Sequence, residues 1–183
     1  MEQKENNGAA MAATERYCLF DTAFGLTGIA WNGRGLTRVQ LPEADAAATR
    51  GRLEARGAEE GELPAALAWV LAALGAYFDG VETDFSSLAV ELPAEAGDER
   101  RRIYAAARSL HWGETASYGE VARRAGLPGG ARVVGQAMAA NPLPIVIPCH
   151  RVLAAGGRLG GFSAYGGALT KERLLVLERV RLL

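Results

Sequence analysis

Three neighbouring runs decide how the chain is read: Ser117-Tyr118-Gly119-Glu120-Val121-Ala122, Gly126-Leu127-Pro128-Gly129-Gly130 and Ala131-Arg132-Val133-Val134-Gly135. Ser117 with Glu120 three residues later fits a capping box. The hydroxyl can accept an orphan N–H of the first helical turn while Glu120 reaches back to the cap backbone. A helix is therefore expected up to about Ala125. The Gly/Pro run that follows predicts a turn. A second helix is expected from Ala131 to about Ala140, where Asn141-Pro142 ends it. A short capped helix, a glycine-containing turn and a second helix make a helix-turn-helix unit.

The second helix has two faces. At roughly 100° per residue, Val133, Val134 and Ala137 fall toward a core, and Arg132, Gly135, Gln136 and Ala139 fall opposite. A major-groove reader would carry several long polar side chains on that outer face. This one carries small residues with one arginine and one glutamine. That suits close approach to a narrow groove, or equally a helix packed through its small-residue face.

Immediately downstream lies Pro144-Ile145-Val146-Ile147-Pro148-Cys149-His150-Arg151-Val152. Ile145 to Ile147 is expected as a short buried strand between two prolines. It delivers one of the chain's two cysteines and one of its two histidines, side by side. Cysteine chemistry needs the thiolate, which forms where a base or a positive charge sits near the sulfur. A Cys-His unit on a rigid element can be an activated nucleophile, although most buried cysteines are inert core residues.

Asp98 to Leu110 is expected to be helical, with Ile103, Ala106, Ala107 and Leu110 on one face. Beyond the Cys-His unit, Phe162-Ser163-Ala164-Tyr165-Gly166-Gly167 is a Gly/Ser/aromatic loop that can lay backbone N–H groups and an aromatic plane against a flat ligand. A last helix is expected from Leu169 to about Leu182, burying Leu174, Leu175 and Leu177 and carrying Glu178.

The N-terminal half reads differently. Arg16–Asp21, Leu26–Trp31 and Leu36–Leu41 are three expected strands of an antiparallel meander, with turns at Phe24-Gly25 and Asn32-Gly33-Arg34-Gly35. Ala44–Arg56 is expected as an exposed helix, Gly57–Pro64 as a loop, and Ala65–Phe78 as a helix with Leu67, Val70, Leu71, Leu74 and Phe78 inward. Cys18 reads as core. No chemistry is legible in residues 1–92. The chain is thus expected to be α+β: a mobile tail at 1–14, an N-terminal α/β support domain at 15–92, and a mostly helical, winged-helix-like domain at 93–183 holding Cys149.

Composition narrows the classes. Hydrophobic residues make up 49% and charged residues 22%, so a packed core is expected and disorder is not. Two distant cysteines do not make a disulfide framework. With only His111 and His150 available, a His/Cys metal cluster is nearly excluded. The polar first residues and the lack of a long apolar run predict a cytoplasmic, soluble protein. Residues 1–92 hold 7 Lys+Arg against 14 Asp+Glu, net −7; residues 93–183 hold 13 against 7, net +6. A basic C-terminal half can meet a polyanion.

Taken together, the motifs resemble the O6-alkylguanine-DNA alkyltransferases, or methylated-DNA–protein-cysteine methyltransferases, over about residues 98–180. The centre of the likeness is Pro148-Cys149-His150-Arg151-Val152, preceded by Asn141-Pro142-Leu143-Pro144-Ile145. Ser117–Ala122, Ala131–Gly135 and Lys171-Glu172-Arg173-Leu174-Leu175 match in the same order. The N-terminal half is similar only in coarse element order.

The resemblance implies direct alkyl transfer from guanine O6 to Cys149, with little sequence preference, on double-stranded DNA bound through its minor groove. It implies His150 as a base acting through water and Glu178 as its orienting acid. Lys171 would hold the loop around the site, and Asn141 would tie the recognition helix to the active-site strand. Tyr118 would donate toward the displaced base, Arg132 would replace the flipped nucleotide, and backbone at Val152 and Ser163 would hold the base. Gly135, Gln136 and Ala139 would lie against DNA. No cofactor, metal or membrane is implied, and a monomer is expected; O4-alkylthymine stays open as a second substrate. The chain departs from the family pattern at Ala164 and Tyr165, which lengthen the loop, and in lacking Cys/His residues for the zinc of some members. Other readings of the same residues are a lesion-binding relative without repair activity, a helix-turn-helix regulator and a cysteine hydrolase.

Overall fold

The computed structural model describes residues 14–181. The expected tail, residues 1–14, lies outside them except for Thr14. Strands β1 (Arg16–Thr22), β2 (Gly25–Asn32) and β3 (Gly35–Gln40) form the expected antiparallel meander. Its register pairs Cys18 with Ile29 and Ile29 with Val39. Side chains alternate along a strand, so Ile29, Trp31 and Val39 share the face that joins the main core. Tyr17 and Ala30 pair on the other face, which α1 (Ala46–Glu54) covers with Leu53. That helix buries Thr49 and Leu53 and leaves most of its other residues exposed, as expected. Arg38 closes its C-terminal end by donating to the carbonyls of Arg52 and Leu53.

The stretch expected as a plain loop at 57–64 holds a fourth strand, β4 (Glu59–Glu60), parallel to β1. Both side chains are exposed glutamates, so no hydrophobic alternation announces it. The backbone makes the strand: Glu59 and Gly61 N–H donate to the carbonyls of Glu15 and Tyr17, each at 2.9 Å.

Helix α2 (Ala68–Phe78) follows a 3-10 turn and buries Val70, Leu74, Tyr77 and Phe78. The segment after it runs along the free edge of β3, where Glu91 N–H donates to the Leu36 carbonyl at 2.8 Å. Helix α3 (Asp98–Arg108) buries Ile103, Ala106 and Ala107 as expected, and also Tyr104.

Strand β5 (Ala116–Ser117) leads into α4 (Tyr118–Arg124). Both arms of the capping box are present: Ser117 Oγ accepts from Glu120 N at 3.2 Å, and the Glu120 carboxylate accepts from Ser117 N at 2.6 Å. Helix α5 (Ala131–Ala139) follows the turn and buries Val134, Ala137 and Met138. Tyr104 Oη donates to the Ala137 carbonyl at 3.0 Å and locks α5 onto α3. Arg132, Gln136 and Ala139 stay exposed on the opposite face.

The expected strand at Ile145–Ile147 does not form. These three residues are buried in a compact turn, with Ile145 at φ 73° and Ile147 N–H donating to the Leu143 carbonyl at 2.7 Å. Pro142, Pro144 and Pro148 supply no N–H to a ladder, so the apolar run folds back on itself. A positive φ at a β-branched residue is rare and persists where packing over-determines it. Cys149 accordingly opens a 3-10 turn, Cys149–Arg151, rather than ending a strand. Strand β6 (Val152–Leu153) then pairs parallel with β5.

Helix α6 (Ala168–Leu177) stops five residues before the expected Leu182. Arg179 at φ 62° turns the chain, and Val180 N–H bonds back to the Leu175 carbonyl, the usual geometry of a left-handed helix stop. Leu174 and Leu175 are buried, whereas Leu177 is only half-buried, contrary to expectation.

One buried cluster runs from Ile29 and Val39 through Tyr77 and Ile103 to Cys149 and Leu174. Among the described residues, no helix is long and apolar enough to cross a membrane.

Candidate active site

Cys149 is 5% exposed, at a slot of about 250 Å³ lined by Tyr118, Gly135, Met138, Ala139, Gly161, Phe162 and Ser163. Two walls thus come from α4–α5 and one from the 161–163 loop. A second groove of about 300 Å³ reaches the same cysteine from the sheet side, between β3, the end of α1 and the Asn141–Pro144 turn. The thiol experiences opposing influences. Burial pushes its pKa up, and the Asn141 side chain, the Lys171 charge and backbone N–H groups of Cys149 and His150 pull it down, with a net rise. At rest the sulfur keeps its proton, and nucleophilic work needs a base.

The residue next in sequence is a histidine. The 3-10 turn sets His150 fully inside the protein, where Nε2 lies 2.7 Å from Glu178 Oε1 and 3.2 Å from Tyr77 Oη. Glu178 reaches this point from the end of α6. Its carboxylate also accepts from Arg151 Nε at 2.8 Å and Arg151 Nη2 at 2.9 Å, from Tyr77 Oη at 2.7 Å, and from Gly113 N at 3.3 Å. Burial alone would raise the Glu178 pKa. The bonds and charges of His150 and Arg151 outweigh it, and the carboxyl falls to about 2. Burial lowers the His150 pKa despite Glu178, so the imidazole is neutral near pH 7. A neutral ring that donates from Nε2 to a carboxylate keeps Nδ1 as a lone pair. Nδ1 is buried and has no hydrogen-bond partner among the described residues.

The remaining expected residues divide. Asn141 Nδ2 donates to the Ile147 carbonyl at 2.8 Å and Oδ1 accepts from Leu143 N at 3.0 Å, so it ties the end of α5 to a turn instead of a strand. Lys171 is wholly buried. Its Nζ donates to the Val152 carbonyl at 2.7 Å and approaches the Gly161 carbonyl at 3.5 Å. Burial drops its pKa to about 8 against a small opposing pull from Cys149. Tyr118 lines the slot beside Gly160, which takes the left-handed φ of 69° and whose Cβ would meet the ring at 3.5 Å. Arg132 lines a shallow groove with Tyr118 and Gly135. Ser163 is exposed at the slot, whereas Val152 is buried outside its lining.

Sequence reasoning gave Tyr77, Arg151 and Gly113 no role, and it read residues 1–92 as devoid of chemistry. Tyr77, from that half, donates to Glu178 Oε1 and lies beside His150 Nε2. The clue was present: Tyr77 lies three residues after Leu74 and seven after Val70, on the inward stripe of α2. A buried tyrosine needs a partner for its hydroxyl.

A buried thiol with a His–Glu pair behind it, opening beside a helix-turn-helix, defines a cysteine-dependent protein on a winged-helix-like scaffold. Residues 98–180 match the family model described as 6-O-methylguanine DNA methyltransferase, DNA binding domain. A methylated-DNA–protein-cysteine methyltransferase of Mycolicibacterium paratuberculosis is 46% identical over 118 residues, spanning 64% of this chain and 68% of that protein. The Mus musculus protein of the same name is 35% identical over 174 residues, spanning 90% of this chain and 82% of the relative. The crystal structure of Mycobacterium tuberculosis OGT in complex with DNA has a TM-score of 0.71 at 34% identity, covering 90% of this chain and 93% of that one. The chain belongs to the methylated-DNA–protein-cysteine methyltransferase family.

Proposed function

We propose that this protein repairs O6-alkylguanine in double-stranded DNA by moving the alkyl group irreversibly onto Cys149. The observation that carries the reading is the slot itself. The Cys149 thiol sits where the small-residue face of α5, Gly135 and Ala139, meets Tyr118 and the 161–163 loop. A carbon on guanine O6 cannot reach a thiol at that depth from inside a stacked duplex. The nucleotide must leave the stack, at a cost of about a few kcal/mol. Arg132, exposed at the start of α5, fills the gap and offsets part of that cost.

In the reaction, His150 Nδ1 takes the thiol proton through an intervening water. The Cys149 sulfur attacks the alkyl carbon. An S–C bond forms, the C–O6 bond breaks, and its electron pair leaves on guanine. The proton then passes from His150 to the guanine, which leaves neutral, with Tyr118 donating a hydrogen bond as charge develops on the nucleobase. The product is a thioether, which no group of the site reverses, so each molecule reacts once.

Lys171 and Asn141 hold the loop and the turn that flank the sulfur. Backbone at Ser163, exposed at the slot, accepts the base, whereas Val152 lies outside the lining and its carbonyl is taken by Lys171. Gly135, Gln136 and Ala139 rest in the minor groove with little sequence preference. Residues 93–183 supply binding and chemistry, and residues 15–92 support them. The protein acts as a cytoplasmic monomer.

The test is intact and peptide mass spectrometry after mixing with a duplex containing one O6-methylguanine. A gain of one methyl group on Cys149, saturating at one per protein and absent in Cys149→Ala, supports the reading. No gain with lesion DNA still bound moves the assignment to a lesion-binding relative.

A further inference from the structure

The buried group that this chemistry does not yet use is the Tyr77 hydroxyl. It comes from α2, in the half of the chain where the sequence places no expected site residue. We propose that Tyr77 is a positioning residue for the Cys149 reaction: its hydroxyl fixes the Glu178 carboxylate, and through it the ring of His150, in the tautomer that leaves Nδ1 free to act as base. This rests on the alkyl-transfer reading and names a further part of that site.

The geometry is specific. Tyr77 Oη donates to Glu178 Oε1 at 2.7 Å, the same oxygen that meets His150 Nε2 at 2.7 Å, and Oη itself lies 3.2 Å from Nε2. Tyr77, His150 and Glu178 therefore form a closed triangle around one oxygen. Arg151 holds both carboxylate oxygens from the far side. Each of these donors favours the ionised carboxylate. A carboxylate saturated by Tyr77 and Arg151 has less pull on the Nε2 proton, so that proton stays on the ring and His150 stays neutral. The groups facing the imidazole are Glu178, Arg151, Lys171 and Tyr77; Glu178 and Tyr77 close the triangle with it, Arg151 bonds the carboxylate, and Lys171 acts only through its charge.

Tyr77 is itself fixed. Its ring packs edge-on against Trp112 at 5.3 Å and against Phe78 at 5.4 Å. Burial and the adjacent Glu178 charge raise its phenol pKa well above the ordinary value, so the hydroxyl keeps its proton and remains a donor. Packing of the N-terminal half is in this way coupled to the protonation state of the catalytic histidine.

The test compares wild type with Tyr77→Phe, which deletes one oxygen and keeps the ring. Two rates are followed against pH: single-turnover methyl transfer from an O6-methylguanine duplex, and alkylation of Cys149 by iodoacetamide, with the modified peptide resolved from Cys18. With the hydroxyl gone, Glu178 pulls harder on the Nε2 proton and His150 becomes the stronger base. The acid limb of both profiles moves to higher pH, and transfer near neutral pH slows on the order of ten-fold. A variant with a lower Tm but an unchanged limb and unchanged rates overturns the proposal and leaves Tyr77 as packing alone. If wild type transfers no methyl group, the repair reading falls, and the iodoacetamide profiles still decide whether Tyr77 sets the reactivity of Cys149.

Discussion

Asn141 and Ile147 are joined by a 2.8 Å bond from the side-chain amide to the backbone carbonyl, which fastens the end of α5 to the turn that carries Cys149. The same side chain accepts from Leu143 N and lowers the thiol pKa against the effect of burial. The exposed face of α5 and the sulfur below it are thereby held in one frame. Asn141→Ala removes two partly buried hydrogen bonds at about 1 kcal/mol each. Urea unfolding should show a loss of about 2 kcal/mol. The pH at which Cys149 becomes reactive toward iodoacetamide should rise, while affinity for undamaged duplex stays within about two-fold, the bare phosphate contacts being untouched.

Acid should unfold the protein in two stages. Burial gives His150 a lower pKa in the folded state than in the unfolded chain. Its contribution is full above the unfolded value of about 6.5 and is lost as pH falls from there toward the folded pKa. Burial notwithstanding, His150 and Arg151 hold the Glu178 pKa at about 2, against an ordinary value near 4.5. Its contribution is present above about 4.5 and lost as pH falls toward about 2, amounting to ~3 kcal/mol. Urea midpoints measured from neutral pH to about pH 3 should fall first through the His150 window and then more steeply. A midpoint flat below about pH 4.5 would show that the Glu178 cluster does not stabilise the fold.

The helix-turn-helix was legible because its signals are local. Ser117 and Glu120 are three residues apart, and the faces of α5 follow from its period. The Ile145–Ile147 turn was not. Its apolar run reads equally as strand or buried turn, and only the placement of three prolines and the Asn141 bonds decides between them. Strand β4 was hidden for the opposite reason, since two exposed glutamates carry no pattern and its pairing is wholly backbone. Cys149, His150 and Glu178 could be named from motifs, yet their closure by Tyr77 spans 101 residues to Glu178, and no local pattern carries it.

Lys171→Met should separate a charge from a tether. Lys171 Nζ reaches the Val152 and Gly161 carbonyls from a fully buried position, and burial already disfavours its charge. Methionine fills similar volume without that desolvation cost. Overall stability is therefore expected to change by no more than about 1–2 kcal/mol. Amide exchange in the 160–167 loop should accelerate, and methyl transfer should slow with it. Unchanged exchange in that loop would remove the tether role and leave only the effect of the charge on the thiol.

Arg132 gives the sharpest distinction between flipping and chemistry. It is exposed in the first turn of α5, and it shares a shallow groove with Tyr118 and Gly135. Arg132→Ala should leave stability within about 0.5 kcal/mol, as exposed substitutions generally do. A free O6-substituted guanine needs no flipping, so its reaction with Cys149 should proceed at the wild-type rate. A lesion within a duplex must first pay for unstacking, and without the arginine that cost of about a few kcal/mol is less well offset. Duplex repair should then slow on the order of ten- to a hundred-fold, since 1.4 kcal/mol is a factor of ten. Equal slowing on both substrates would place Arg132 in the chemistry of the slot, and equal rates on both would remove it from base displacement.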